Sequence, residues 1–592
     1  MSDPNHTPVP ALRQNASRVP GVGDALWFAF RALCFRGLRF ARASMDRAHR
    51  RHRVGARLCD APILAESRAT LWPANDAPER ALVLGKIENL RVARRAFDGI
   101  ELAPGDVLSF WAQLGRPSRG RGFVIGRELR EGCLIPSIGG GLCQLSNALY
   151  DAALQGGLEI VERHAHSQVV PGSAATRDLD ATVFWNYVDL RLRAPCALRV
   201  EVDLDADTLC VRLRGHRDPS QDDPSQTYMI ATLSPRAATR DATTAHGDCA
   251  TCGQTACFRN APQPSDAPAA NGRAVVLAGT LTPEHAEFLA RTQPHAERLV
   301  ARVGTGSRLR RRARTAIQRL RRWPPARRAL AAAGAEAHAA AARLRPEHLD
   351  LYVDQAWLPF LWQRGVLAGR RVHVLMQALP MNRIQAELDR AARRHPDEPT
   401  LRDFRADGAL VEAERRALDA ATQWIGAHAQ AMALAGGKGH ALPWRTPPIV
   451  ASKATATAPR ALRVLFPASS LVRKGALELA SALQGMPVEL LLPMRDGGEP
   501  ARWGTIPLRR VALGEDTLPQ CDVVALPAWV EHQPRVLLAA IARGVPVIAT
   551  AACGLGTVPG WIDVPAGDVD ALRAQLQRLA AALPIDRTDT HG

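Results

Sequence analysis

Apolar and polar positions along this chain repeat with two different periods, and the switch between them marks out its elements. Between Ala65 and His216 short runs dominate. Gly85 to Ala93 follows a helical pattern, Pro104-Gly105-Asp106 is a turn, and Val107 to Trp111 follows it. Leu158 to His164, Asp180 to Leu190, Leu198 to Leu204 and Thr208 to Leu213 read as strands. Leu145, Leu149 and Leu154 fall near helical spacing, so the glycines at 139, 140 and 141 feed a helix whose first residues are Cys143 and Gln144. Beyond Pro262 to Asn271, a Pro/Ala/Ser linker, the rhythm becomes that of an α/β protein. Strands are expected at Ala274 to Gly279, Leu349 to Asp354, Arg371 to Met376, Leu462 to Pro467, Cys521 to Pro527 and Gly544 to Thr550. Helices fall at Leu401 to Asp419, Ala476 to Leu483 and Val536 to Arg543. Two α/β units in series predict a ligand cleft between them.

Five segments follow from these shifts. They are a basic amphipathic stretch at 1–64, a mixed α+β domain at 65–216, a cysteine-rich segment at 217–270, and two α/β domains at 271–450 and 461–592. A chain of 592 residues needs several cores. No apolar run reaches the roughly 20 residues of a membrane span, and within the start, MSDPNHTPVPALRQ, no lysine or arginine precedes an apolar run, so a cytoplasmic protein is expected. The net charge of +18 is carried mainly by arginine and suits anionic small molecules, nucleotide sugars among them. In Leu26 to His49 the apolar residues Leu26, Trp27, Phe28, Phe30, Leu33, Leu38 and Phe40 lie among Arg31, Arg36, Arg39 and Arg42, a composition suited to an anionic membrane surface or to packing on the protein itself. The arginine-dense run Arg302 to Arg328, broken by Pro324-Pro325, holds a single aromatic, Trp323, and no recognisable groove-reading helix, so no specific nucleic-acid binding is expected.

Chemistry concentrates at three places. Cys143 at a helix start, with His164 or His166 as base and Asp180 or Glu162 as orienter, offers a nucleophilic constellation, while Gly139, Gly140, Gly141 and Gln144 shape the pocket beside it. A buried inert thiol in a tight turn is the alternative. Cys249-x2-Cys252 and Cys257 place three thiols on a short loop, suited to an iron–sulfur cluster, to zinc or to a redox dithiol. A fourth ligand would come from His246, Cys133, Cys143, Cys196 or Cys210. The third place is the Arg473-Lys474-Gly475 turn that precedes a helix in the domain at 461–592.

Two resemblances gather these residues. Gly85 to Ala93, Ser109-Phe110-Trp111, Gly139 to Asn147, Glu162 to Ser167 and Asp180 to Val183 occur in the order of the VanW family, which the stretch resembles; the likeness names a domain without naming a reaction. About Arg273 to Ala580 resembles a retaining glycosyltransferase of the two-lobed GT-B fold. That resemblance implies a donor-phosphate contact at Lys474 and makes Glu531 the first glutamate of a Glu-x7-Glu motif, whose second position here is Ala539. The expected phosphate arginine aligns with Ser469, for which Arg473 or Arg535 could substitute. Two functions are therefore carried forward: a glycosyl- or group-transfer enzyme, and a non-catalytic binding or assembly protein bearing a metal or cluster.

Overall fold

The computed structural model describes residues 50–72, 80–130, 133–165, 180–185, 188–216, 273–299, 325–403, 405–448, 461–494, 500–513 and 517–582, and the positions 23, 26, 27, 30, 33, 34, 37, 38 and 41. The chain divides into two compact units, Met1–Gly272 and Arg273–Gly592.

The first unit contains β1 (Ile63–Thr70), α1 (Arg80–Phe97), β2 (Ile100–Leu102), β3 (Val107–Ser109), α2 (Phe110–Leu114), β4 (Ile125–Arg130), β5 (Cys133–Ile138), α3 (Cys143–Gly156), β6 (Glu159–Glu162), β7 (Arg191–Arg193), β8 (Leu198–Leu204) and β9 (Thr208–Gly215). Strands β1, β9, β8 and β2 form an antiparallel sheet in that order, β3, β7 and β6 a smaller one, and β4 and β5 a hairpin. Helix α3 packs on β1 and β9, and α1 on β8 and β4. Leu145, Leu149, Ala152 and Ala153 thereby share a core with Val211 and Leu213, removing from water the apolar face that the spacing foretold.

Among the described residues of Asp180 to Leu190 no strand forms. Only the Phe184–Val188 bridge forms there, because the backbone has other partners: Ala181 N–H donates to Asn147 Oδ1 at 2.8 Å, Thr182 N–H to the His164 carbonyl at 2.7 Å, and Ser146 Oγ to the Ala181 carbonyl at 2.5 Å. Groups spent on a helix start cannot pair with a sheet.

The second unit has two parallel-sheet lobes. The first holds β10 (Arg273–Leu277), α4 (Pro283–Thr292), β11 (Glu297–Arg298), α5 (Pro325–Ala341), β12 (His348–Asp354), α6 (Leu358–Gln363), β13 (Arg371–Leu375), α7 (Met381–Arg394), α8 (Gly408–Ala420), β14 (Gln423–Gly426), α9 (Ala429–Ala435) and β15 (Gly439–Ala441). The second holds β16 (Leu462–Leu465), α10 (Ala476–Leu483), β17 (Val488–Pro493), β18 (Leu508–Val511), β19 (Val523–Leu526), α11 (Arg535–Ala542), β20 (Val547–Ala549), β21 (Trp561–Asp563) and α12 (Val569–Ala581). Strand orders are β11-β10-β12-β13-β14-β15 and β18-β17-β16-β19-β20-β21, with every pair parallel. Each lobe begins on an inner strand, winds to one side and then returns to the other. The reversals fall between β10 and β12 and between β16 and β19, and at such points the loops leaving the carboxyl ends part to leave a crevice.

The lobes meet through a shared cluster in which Leu388, Ala391 and Leu401 of the first pack against Val472, Trp529 and Val530 of the second. Polar contacts reinforce it: Arg502 grips Glu398 with two bonds of 2.7 and 2.8 Å, and the His395 ring meets Glu478 at 2.7 Å.

Candidate functional site

In the first unit the glycine run is a point of backbone packing. A Cβ on Gly140 would lie 2.5 Å from the Gly126 carbonyl, and one on Gly141 would lie 2.2 Å from Lys86 Cγ. A Cβ on Gly139 would meet Pro117 at 2.7 Å. Asn89 joins these layers, donating to the carbonyls of Val124 (3.0 Å) and Gly140 (2.9 Å) and accepting from Val124 N–H (2.9 Å). The glycines therefore admit α1 and the β4–β5 hairpin rather than a wide ligand approach.

Helix α3 starts at Cys143, as its spacing foretold, yet its first amides are largely spent. Gln144 N–H donates to the Gly141 carbonyl, and those of Leu145 and Ser146 to the Leu142 carbonyl. The half-buried Cys143 thiol lies 3.5 Å from Thr182 Oγ1 and 3.7 Å from the Val183 carbonyl. His164 is exposed and its ring meets Glu162 at 3.3 Å, so its polar contact is with that carboxylate. The Asp180 carbonyl accepts from Arg163 Nε at 2.7 Å, and its side chain is buried. Gln144 donates to the Thr70 carbonyl at 2.7 Å, while its Oε1 is buried without a hydrogen bond. Thr182, Ser146 and Asn147 surround this helix start and were not singled out from sequence. The signal for Ser146 and Asn147 was their place in the first turn of a helix opening on Cys143.

His166, Cys249, Cys252 and Cys257 lie outside the described residues. Among the described residues no group of three or more metal-ligating side chains is found. Cys210 makes a poor fourth thiolate: burial pushes its thiol up to about 11, which favours the protonated form.

In the second lobe the crevice between β16 and β19 collects the residues that the sequence singled out. The turn Val472–Lys474 ends on Gly475, whose φ of 81° lets α10 begin at once. Trp529 and Val530, beyond β19, donate their N–H groups to the Arg473 carbonyl at 3.0 and 3.2 Å, tying the two loops together. Lys474 Nζ then reaches Glu531 Oε2 at 2.8 Å and the Val530 carbonyl at 3.1 Å. The other Glu531 oxygen accepts from His532 and Gln533 N–H at 2.7 and 2.9 Å. Burial alone would raise the Glu531 pKa, but Lys474 and these amides outweigh it and hold the group ionised well below the usual carboxylate range. Burial, only partly offset by Glu531, lowers Lys474, and burial also lowers His532.

The first lobe closes over this crevice. His428 caps α9 by accepting from Ala431 N–H at 3.4 Å, which leaves Nε2 as the donor toward the carbonyls of Glu531 (3.2 Å) and Ala552 (3.3 Å). Arg535, at the start of α11, forms a two-pronged pair with Glu284 of α4 at 2.6 and 2.7 Å, and its guanidinium lies 5.3 Å from the Trp444 ring centre. Arg535, offered as a substitute phosphate ligand, is thus engaged by a carboxylate of the other lobe. Ala539 packs against the core of its own lobe.

The crevice between β10 and β12 holds a polar cluster that sequence reasoning passed over. Asp354, the last residue of β12, accepts from Ala356 N–H (2.9 Å) and Gln377 Nε2 (3.2 Å), and Gln377 also reaches the Thr280 carbonyl at 3.4 Å. Gln355 accepts from the N–H groups of Gln377 and Ala378 and donates to Glu414 at 3.1 Å. An acid-amide pair at the end of an apolar run was the available signal. Burial raises the Asp354 pKa from 3.8 to about 6. Between those values the native state keeps a proton that the unfolded chain has lost, so this group's contribution to stability falls as pH rises from about 4 to about 6. Asp354→Asn is expected to stabilise the unit at pH 8 by up to about 3 kcal/mol and to change little at pH 4. Denaturation midpoints at the two pH values test this.

An antiparallel α+β unit followed by two doubly wound, parallel-sheet lobes defines the class, a multidomain chain. The chain carries a VanW-family domain: residues 85–214 match the family described as VanW like protein. Over 164 residues it is 27% identical to the vancomycin B-type resistance protein VanW of Enterococcus faecalis (strain ATCC 700802 / V583), covering 26% of this chain and 59% of that protein. Over 105 residues it is 33% identical to the uncharacterized protein YoaR of Bacillus subtilis (strain 168), covering 18% of this chain and 34% of that one. The chain thus spans less than two thirds of either relative. Similar solved structures include a sucrose-phosphate synthase from Thermosynechococcus elongatus, with a TM-score of 0.31, 19% identity and coverage of 39% of this chain and 64% of that one. The calicheamicin glycosyltransferase CalG4 has a TM-score of 0.25 and 13% identity, covering 52% of this chain and 82% of its own.

Proposed function

We propose that the C-terminal unit binds a nucleotide sugar and transfers its glycosyl group, with Lys474 as the contact to the donor diphosphate. The observation that carries this reading is the Lys474–Glu531 pair at the carboxyl-end crevice of the second lobe. A partly desolvated ammonium there attracts phosphate oxygens more strongly than one in water. An arriving diphosphate takes over the ammonium, and Glu531, still held by two amides, turns its other oxygen to the sugar hydroxyls. The Asp354–Gln355–Gln377 cluster of the first lobe supplies hydrogen-bonding groups for an acceptor.

Calorimetric titration with UDP- and GDP-sugars tests the assignment. Lys474→Ala is expected to weaken binding at least about tenfold. Because that change also leaves Glu531 without its cation, Lys474→Arg is the companion variant, expected to fold normally and recover part of the affinity. Binding unchanged in Lys474→Ala removes the assigned contact.

The second reading, a non-catalytic binding or assembly protein, is favoured by Ala539 at the second glutamate position and by the Arg535–Glu284 pair. Absence of binding by every nucleotide sugar in the same titration selects it.

A further inference from the structure

The N-terminal positions 23, 26, 27, 30, 33, 34, 37, 38 and 41 are helical, and every one of them is exposed. At 3.6 residues per turn these positions share one face, spanning roughly 140° of the helix circumference. That face presents Leu26, Trp27, Phe30, Leu33 and Leu38 to solvent, each more than half exposed, and the Trp27 and Phe30 rings stack on each other at 5.8 Å rather than under another element. A contiguous apolar stripe of this kind marks a surface that meets something else.

The charge of the surrounding sequence says what. From Gly23 to Arg57 there are nine arginines against two acids, Asp24 and Asp46. Arg51, Arg53 and Arg57, beyond the helical positions, are exposed. No helix among the described residues is long and apolar enough to cross a membrane. We infer that this segment lies in the plane of an anionic lipid bilayer, with Leu26, Trp27, Phe30, Leu33 and Leu38 seated at the acyl boundary and the arginines on the headgroups. The combination supports an interfacial helix: Leu26, Trp27, Phe30, Leu33 and Leu38 exposed on one face, an excess of arginine in the surrounding sequence, and an acid count too low to repel a negative surface. A second copy of this chain is a weaker fit for the same face, because it would bring two arginine-rich segments together across the contact. The inference stands independently of the sugar-transfer reading.

Flotation of the full chain with vesicles tests it, using phosphatidylcholine alone or with roughly one third phosphatidylglycerol, at low and high salt. The expected result is flotation with the anionic vesicles only, reduced by salt. Trp27→Ser combined with Phe30→Ser is expected to lower partitioning at least about tenfold, as is Arg36→Glu combined with Arg39→Glu. Because the two aromatic side chains are exposed, the first variant is expected to keep the wild-type melting temperature. Failure to float with anionic vesicles, equal flotation with neutral ones, or unchanged flotation of both variants overturns the proposal. So does light scattering that shows a wild-type dimer converted to a monomer by the aromatic variant.

Discussion

Gly475→Ala is expected to cost the C-terminal unit on the order of 3 to 5 kcal/mol and to abolish any ligand binding in the second lobe. Two costs combine. At a φ of 81° an alanine is strained by about 1 to 2 kcal/mol. Its Cβ would also lie 2.1 Å from the Pro527 carbonyl oxygen and 2.6 Å from the carbonyl carbon. Backbone cannot rotate away as a side chain can, so the Val472–Lys474 turn and the loop after β19 must separate. That separation breaks the bonds from Trp529 and Val530 to the Arg473 carbonyl and draws Lys474 from Glu531. Gly544→Ala is the matched control: its φ of 68° imposes similar strain, but nothing lies within 4 Å of the added methyl. Chemical denaturation is expected to show a loss for Gly544→Ala of only about 1 to 2 kcal/mol. Equal losses for the two variants would show that the close approach to Pro527 is unimportant.

The second large effect is expected at Gly85→Ala in the VanW-like unit, where local propensity and tertiary packing predict opposite signs. Within helix α1, alanine is favoured over glycine by about 1 kcal/mol. Its Cβ, however, would lie 1.8 Å from the Ile125 carbonyl oxygen and 3.2 Å from Gly126 Cα. The hairpin β4–β5 must move, and with it the Gly139–Gly141 turn that Asn89 ties to α1. A net loss of about 2 to 4 kcal/mol is expected, read as a lowered melting temperature of this unit together with faster labelling of the half-buried Cys143 thiol. A stabilised protein would mean that the helix propensity had prevailed.

Much of the secondary structure was legible because periodicity responds to burial wherever an element faces one core. The Arg473-Lys474-Gly475 turn followed by a helix at Ala476, and the strands ending near Leu465 and Leu526, could be read directly. Asp180 to Leu190 misled because its alternation reflects side chains clasping the start of α3 and the end of β3, as in the 2.6 Å bond from Ser109 Oγ to Asp189. Hydrophobic alternation records which side chains are buried, not which carbonyls the backbone amides find. The Asp354 cluster was missed for a related reason. Its members come from the ends of three strands and from helix α8, and only the tertiary fold brings them to one crevice.

From the sequence alone came the two kinds of unit, the glycine-to-helix junction at Cys143, and, through the resemblance, Lys474 and Glu531 as separate residues of interest. These are local: each depends on residues near one another in the chain or on a motif of fixed spacing. Tertiary structure decided what those groups touch. It packed the glycines against α1 and the hairpin, engaged Arg535 with Glu284 across 251 positions of chain, set Cys143 beside Thr182, and left the face of Leu26, Trp27, Phe30, Leu33 and Leu38 in solvent. Contacts between distant residues depend on how sheets wind and lobes close, and periodicity within a short window carries no record of either.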